Sequence, residues 1–147
     1  MKKIFTVLTL GLALSSFREK NAEPDSWKIT WNKKVILQTG KSDEAVNIRK
    51  IKAGDLKKNY TLEISYKESD PKKEKEWIRS FMIFDEKDAE LLRKDSTREA
   101  RISAAELKKL FGESKKLKIY TIAVPADPNK AATVRVRRVH LCTLQIQ

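Results

Sequence analysis

Apolar and polar residues alternate over short stretches for most of this chain. In 27–31, WKITW, residues Trp27, Ile29 and Trp31 fall on one face and Lys28 and Thr30 on the other. In 60–66, YTLEISY, the set Tyr60, Leu62, Ile64 and Tyr66 opposes Thr61, Glu63 and Ser65. A period of two is that of a strand with one buried face. The same reading gives strands at 35–39, 45–51, 77–84, 89–95, 117–124 and 133–147. In WIRSFMIF at 77–84 the second half is apolar at both parities, which suits a central strand covered on both sides. Polar turns separate these stretches: Asn32-Lys33-Lys34, GKSDE at 40–44, the charged loop ESDPKKEKE at 68–76, DEKD at 85–88, and PADPNKAA at 125–132, whose prolines stop a ladder.

A different period marks one helix at 103–111. Ser103 and Glu106 have the spacing of a capping box, Leu107, Leu110 and Phe111 share a face behind it, and Gly112 suits a left-handed exit. Many short strands with one short crossing helix predict a mainly β domain, an antiparallel β-sandwich of immunoglobulin-like or related type. A weak internal echo joins IKAGDLKK at 51–58 to ISAAELKK at 102–109, identical at five of eight positions, each followed by a Leu-x-Ile strand. Two related halves and two unrelated connections both fit it.

The first sixteen residues break the pattern. Lys2 and Lys3 precede an apolar run from Ile4 to Leu14 and then Ser15-Ser16, the layout of an export signal and too short for a membrane-spanning helix. The expected organisation is therefore a signal peptide at 1–16, a linker at 17–26 and one domain at 27–147, exported to the periplasm, the cell surface or the medium. Without Lys2 and Lys3 the remaining residues hold 30 Lys and Arg against 20 Asp and Glu, a net charge of +10. Such a charge favours polyanions through long-range attraction but specifies no site. Acids and bases are mixed, as in KKEKE at 72–76, in the manner of a solvated surface.

Candidate chemistry is sparse. His140 and Cys142 are the only residues of their kinds, and both lie on the 133–147 strand. Two positions apart on a strand they sit about 7 Å apart, too far for an activated thiolate pair. Cys142 has no partner within the chain for a disulfide and reads as a small buried residue, His140 as structural or surface. No metal-ligand spacing, G-x-S-x-G elbow, phosphate loop or dinucleotide fingerprint is present, so no catalytic residue, metal or cofactor is assigned. A carboxylate-based hydrolase is a third and lesser reading. Trp27, Trp31 and Trp77 read as core rather than as sugar platforms. Asp95-Ser96-Thr97 resembles an O-glycosylation acceptor at Ser96, and Asn59-Tyr60-Thr61 is a formal N-glycosylation sequon.

The remaining candidates are Arg79, Arg101, Arg135, Arg137 and Arg138, which form a basic stripe if their strands are neighbours. A β-bulge near 137–138 would expose Arg138 and His140 together. The expected function is non-catalytic binding of a polyanion or glycan at the cell envelope through the C-terminal strand, with no specific nucleic-acid partner and no transmembrane segment. The alternative is an assembly subunit that pairs with an envelope protein along an exposed final strand.

Overall fold

The computed structural model describes residues 24–147, so the export signal expected at 1–16 and most of the linker lie outside the described residues. The architecture is mainly β, with two sheets. One has the order β2-β1-β4-β7, with β1 Ser26–Trp31, β2 Lys34–Thr39, β4 Leu62–Lys67 and β7 Glu99–Ile102. The other has the order β3-β9-β8-β5-β6, with β3 Ile48–Ile51, β5 Trp77–Phe84, β6 Glu90–Lys94, β8 Lys116–Pro125 and β9 Val139–Ile146. Every pairing is antiparallel except β3 with β9. Three short helices, α1 Pro71–Glu76, α2 Ala104–Glu113 and α3 Pro128–Ala131, connect strands. No helix among the described residues is long and apolar enough to cross a membrane.

The alternation read from the sequence sets the inner faces. Ile29, Leu62, Ile64 and Ile102 of one sheet and Leu117, Ile119, Leu141 and Leu144 of the other are all at most 1% exposed and belong to one core cluster. The Trp27 indole N–H donates across it to the Leu141 carbonyl at 3.1 Å. β1 and β2 are joined by Asn32-Lys33, both with positive φ (47° and 64°), as a two-residue hairpin turn requires.

The chain performs the same sequence of moves twice. A hairpin (β1β2 or β5β6) is followed by a strand in the opposite sheet (β3 or β7), a helical crossing, and a return strand (β4 or β8) beside the first strand of the hairpin. The echoing segments are the two crossings, and their differences explain their different forms. Ser103 and Glu106 close a full capping box and start α2, whose Leu107, Leu110 and Phe111 are buried. The first copy has Lys52 where Ser103 would stand, with no side-chain cap, and Gly54 in place of Ala105, and forms only a 3-10 turn at Ala53–Lys57.

Several expectations need correction. α2 runs through Gly112 and ends at Ser114 in an extended conformation, with no left-handed glycine. The loop expected at 68–76 contains α1, because Asp70 caps the Lys72 N–H at 2.9 Å and Pro71 occupies the first turn. β7 went unforeseen because four alternating residues are too few to stand out. The final strand begins at Val139, not Thr133, and its bulge leaves Leu141 unopposed, not 137–138. Nor is it an edge: β9 lies between β3 and β8, so the premise of an exposed final strand fails.

Replacing Ser103 by Ala removes the hydroxyl that accepts from the Glu106 N–H, while the backbone N–H at 103 can still donate to the Glu106 carboxylate, and should cost about 1 kcal/mol of stability in urea denaturation. Leu107→Ala, which empties a buried position behind the cap, should cost about 2–5 kcal/mol.

Candidate functional site

The five candidate arginines do not form one stripe. Arg79 points into the protein and is 5% exposed. Its Nε and Nη2 donate to Glu68 Oε1 at 2.9 and 2.7 Å, and its Nη1 donates to Thr121 Oγ1 at 3.0 Å. The guanidinium lies 3.6 Å from the centre of the Tyr66 ring, which stacks in turn on Trp27. Asp25 completes the layer: it accepts from the Tyr66 hydroxyl at 2.8 Å and from the Ser69 N–H and hydroxyl. Burial would raise the Asp25 carboxyl, but the Ser69 and Tyr66 hydrogen bonds and the Arg79 charge outweigh it and hold the group below its ordinary value. Arg79 is thus a structural cation. The inner parity it shares with Phe81 and Ile83 was the available signal.

Arg138 sits on the outer face of the five-stranded sheet. Its guanidinium carbon is 4.7 and 4.2 Å from the centres of the Phe84 and Tyr120 rings, and Nη2 donates to both Asp88 oxygens. Arg135 and Arg137 are exposed on the irregular segment before β9. Arg101 lies on the outer face of the four-stranded sheet. Ser96 is exposed in the turn between β6 and β7, with φ of 54°.

The terminal strand holds no reactive pair. The bulge turns His140 outward from the core and beneath Tyr120, where it is 3% exposed rather than open to solvent. Its Nε2 shares a 2.8 Å hydrogen bond with Thr143 Oγ1, and its Nδ1 has no partner among the described residues. Burial pushes its pKa down. Burial pushes the Cys142 thiol up to about 12, so it is a core residue and not a nucleophile at neutral pH.

The feature with binding geometry is the outer face of the four-stranded sheet. Ladder register places Val35, Thr30, Glu63 and Arg101 in one row across all four strands, and Gln38, Lys28, Ser65 and Glu99 in the next. Both rows face away from the core, because the alternate residues Trp27, Ile29, Leu62 and Ile64 fill it. All residues of the two rows except Gln38 line an open groove of about 550 Å³, which Lys33 joins at one end. A second hollow of about 270 Å³ shares Lys28, Ser65 and Glu99 and continues past Gln38 and Lys67, which makes the whole an elongated trough. Five charged residues line the first groove, yet Lys28, Lys33, Glu63, Glu99 and Arg101 make no side-chain hydrogen bond or ion pair among the described residues. Elsewhere acids and bases pair, as in Arg79–Glu68, Arg93–Glu90, Lys94–Glu106 and Arg138–Asp88.

Such a surface donates through two ammoniums and a guanidinium and accepts through two carboxylates, above the Thr30 and Ser65 hydroxyls. Both carboxylates, Glu63 and Glu99, are exposed. No group of three or more metal-ligating side chains occurs among the described residues. Of the groove's ionic residues only Arg101 was singled out in the sequence. The others were legible as polar faces of β1 and β4, but their meeting with Glu99 and Arg101 depends on the β4–β7 pairing.

Two measurements check the buried groups. Arg79→Ala strands the Glu68 carboxylate and should cost about 3–5 kcal/mol, while Arg79→Met combined with Glu68→Leu should cost less than that single change. The His140 imidazole resists protonation in the fold but accepts a proton near its ordinary 6.5 when unfolded, so stability should fall as pH drops below 6.5. His140→Gln should flatten the stability profile between about pH 5 and 7 in urea titrations.

No protein-family model matches this chain, and no curated protein is similar to it, so its chemistry is read from its own geometry.

Proposed function

We propose that this chain is an exported, non-catalytic module of β-sandwich type, immunoglobulin-like or related, that binds an acidic glycan at the cell envelope along the trough of its four-stranded sheet. The observation that carries this reading is the set of unpaired ionic side chains, four on paired strands and Lys33 in the β1β2 turn, above two hydroxyls. A sugar polymer presents hydroxyls for Glu63 and Glu99 to accept from, and carboxylate or sulfate groups for Lys28, Lys33 and Arg101 to hold. The trough's length suits a chain rather than a compact ligand. Cations outnumber carboxylates there by three to two, in keeping with the net positive charge of the chain. The loop arginines Arg135 and Arg137 contribute long-range attraction only.

The sandwich reading draws support from the shared core, and the reading of two related halves from the hairpin bulges. The first hairpin slips register at Ile29/Thr30 and the second at Ile83/Phe84, and Ile29 and Ile83 face Ile64 and Ile119 on the return strands. Matching irregularities at matching places are hard to obtain from unrelated connections.

Glycan-array screening at low and high salt, followed by calorimetry on the best hit, tests the function. An acidic glycan should bind, and more weakly at high salt. Lys28→Glu and Arg101→Glu should each lower affinity about tenfold or more. Arg135→Glu with Arg137→Glu should change affinity by only about twofold at physiological salt. Binding indifferent to Lys28 and Arg101, or turnover of the glycan that Glu63→Gln abolishes, would reject this reading.

A further inference from the structure

We infer that β9 is an exchangeable strand, and that two copies of this chain form a dimer by each placing β9 between β3 and β8 of the other. The inference is independent of the glycan site and rests on three observations. The first is topological. In the β2-β1-β4-β7 sheet the return strand β4 pairs directly with the crossed strand β7. In the other sheet the equivalent strands β8 and β3 are held apart by β9, which has no counterpart in the first half. β9 therefore occupies a slot between two strands whose equivalents close on each other without it, and this explains why β3 and β9 form the parallel pair.

The second is the connection. Residues 126–138 carry only the four-residue α3 and otherwise belong to neither sheet. Neighbouring antiparallel strands need a loop of about 2–5 residues, and thirteen can extend over roughly 45 Å, enough to carry β9 into an adjacent molecule.

The third is a pattern left unused. TVRV at 133–136 alternates as a strand, with Val134 and Val136 on the parity of the outward-turned His140, yet it lies outside both sheets with Val136 39% exposed. β8 could receive it, because Ile122 to Val124 pair with β5 on one edge and have no ladder partner on the other. In the exchanged dimer the connection straightens, and the two TVRVRR segments can pair antiparallel with each other beside those vacant edges.

Within each slot nothing changes on exchange. Leu141, Cys142 and Leu144, all 0% exposed, refill the same positions, and the Trp27 N–H meets the same Leu141 carbonyl, now from the other copy. The difference between monomer and dimer reduces to the new hinge pairing, opposed by the loss of α3 with its Asp127 cap, by the entropy of association and by crowding of Arg135 and Arg137. Higher salt should therefore favour the dimer.

A disulfide across β8 and β9 tests this in the full chain. Lys118 and Thr143 face each other in the ladder, so Lys118→Cys with Thr143→Cys, and Cys142→Ala to remove the native thiol, links β8 to β9. Oxidised after concentration, a closed monomer gives an intrachain bond and an exchanged dimer an interchain one, separated on a non-reducing gel. Light scattering on the unmodified chain gives a second readout that does not depend on the variant folding. There, while monomer predominates, a tenfold rise in protein concentration should raise the dimer-to-monomer ratio about tenfold. An interchain bond with that dependence supports exchange. A chain monomeric at every concentration and salt, or a dimer whose bond stays intrachain, overturns it.

Discussion

Two sheets that are each apolar on one side share one core cluster, and the burial of those faces is the constraint on which the rest of the described fold depends. The single cysteine has no partner within the chain, and no metal-binding cluster occurs among the described residues. Among the described residues, stability rests on that shared core and on the satisfaction of polar groups at its rim. The Trp27 indole ties the two layers by a hydrogen bond to the Leu141 carbonyl, and its ring supports Tyr66, on which the Arg79 guanidinium lies. The rim of the core is a layered set of rings, cation and carboxylates, with Glu68 as the direct counter-ion of Arg79.

That arrangement separates structural ions from available ones. A buried guanidinium needs its donors filled, and Glu68, Thr121 and the Tyr66 face supply them. Arg138 is held similarly by Asp88 and two rings. On the outer face of the four-stranded sheet nothing comparable happens. Lys28, Glu63 and Arg101 project from a rigid ladder with no partner among the described residues. Pairing them would require flexible side chains to give up hydration for small gains at an exposed surface, so they remain available to an outside ligand.

The insertion of β9 gives the five-stranded sheet its parallel pair and breaks the correspondence between the halves of the chain. Its bulge at Leu141 shifts the phase of the strand, so that Cys142 and Leu144 face the core beside Ile119 and Leu117 while His140 turns to the opposite face. A regular strand would put His140 and Cys142 on the same side, and a hydrogen-bonding ring would then face the apolar interior.

The sequence by itself determined most strands, the β1β2 turn, and the start of α2. Each rests on local physics: alternation with a period of two, a hairpin turn with asparagine at its first position, and a side-chain cap three residues from its partner. It also carried the parity that puts Arg79 beside Phe81 and Ile83, although charge argued for the outside. Only the tertiary structure decided which sheet each strand joins, that TVRVRR stops short of the ladder, and that β9 sits inside the sheet. It alone brought Glu99 and Arg101 beside Glu63 and Ser65. Pairing between distant strands is settled by the competition of edges for partners and by the closure of one core, and no local window of residues contains that information.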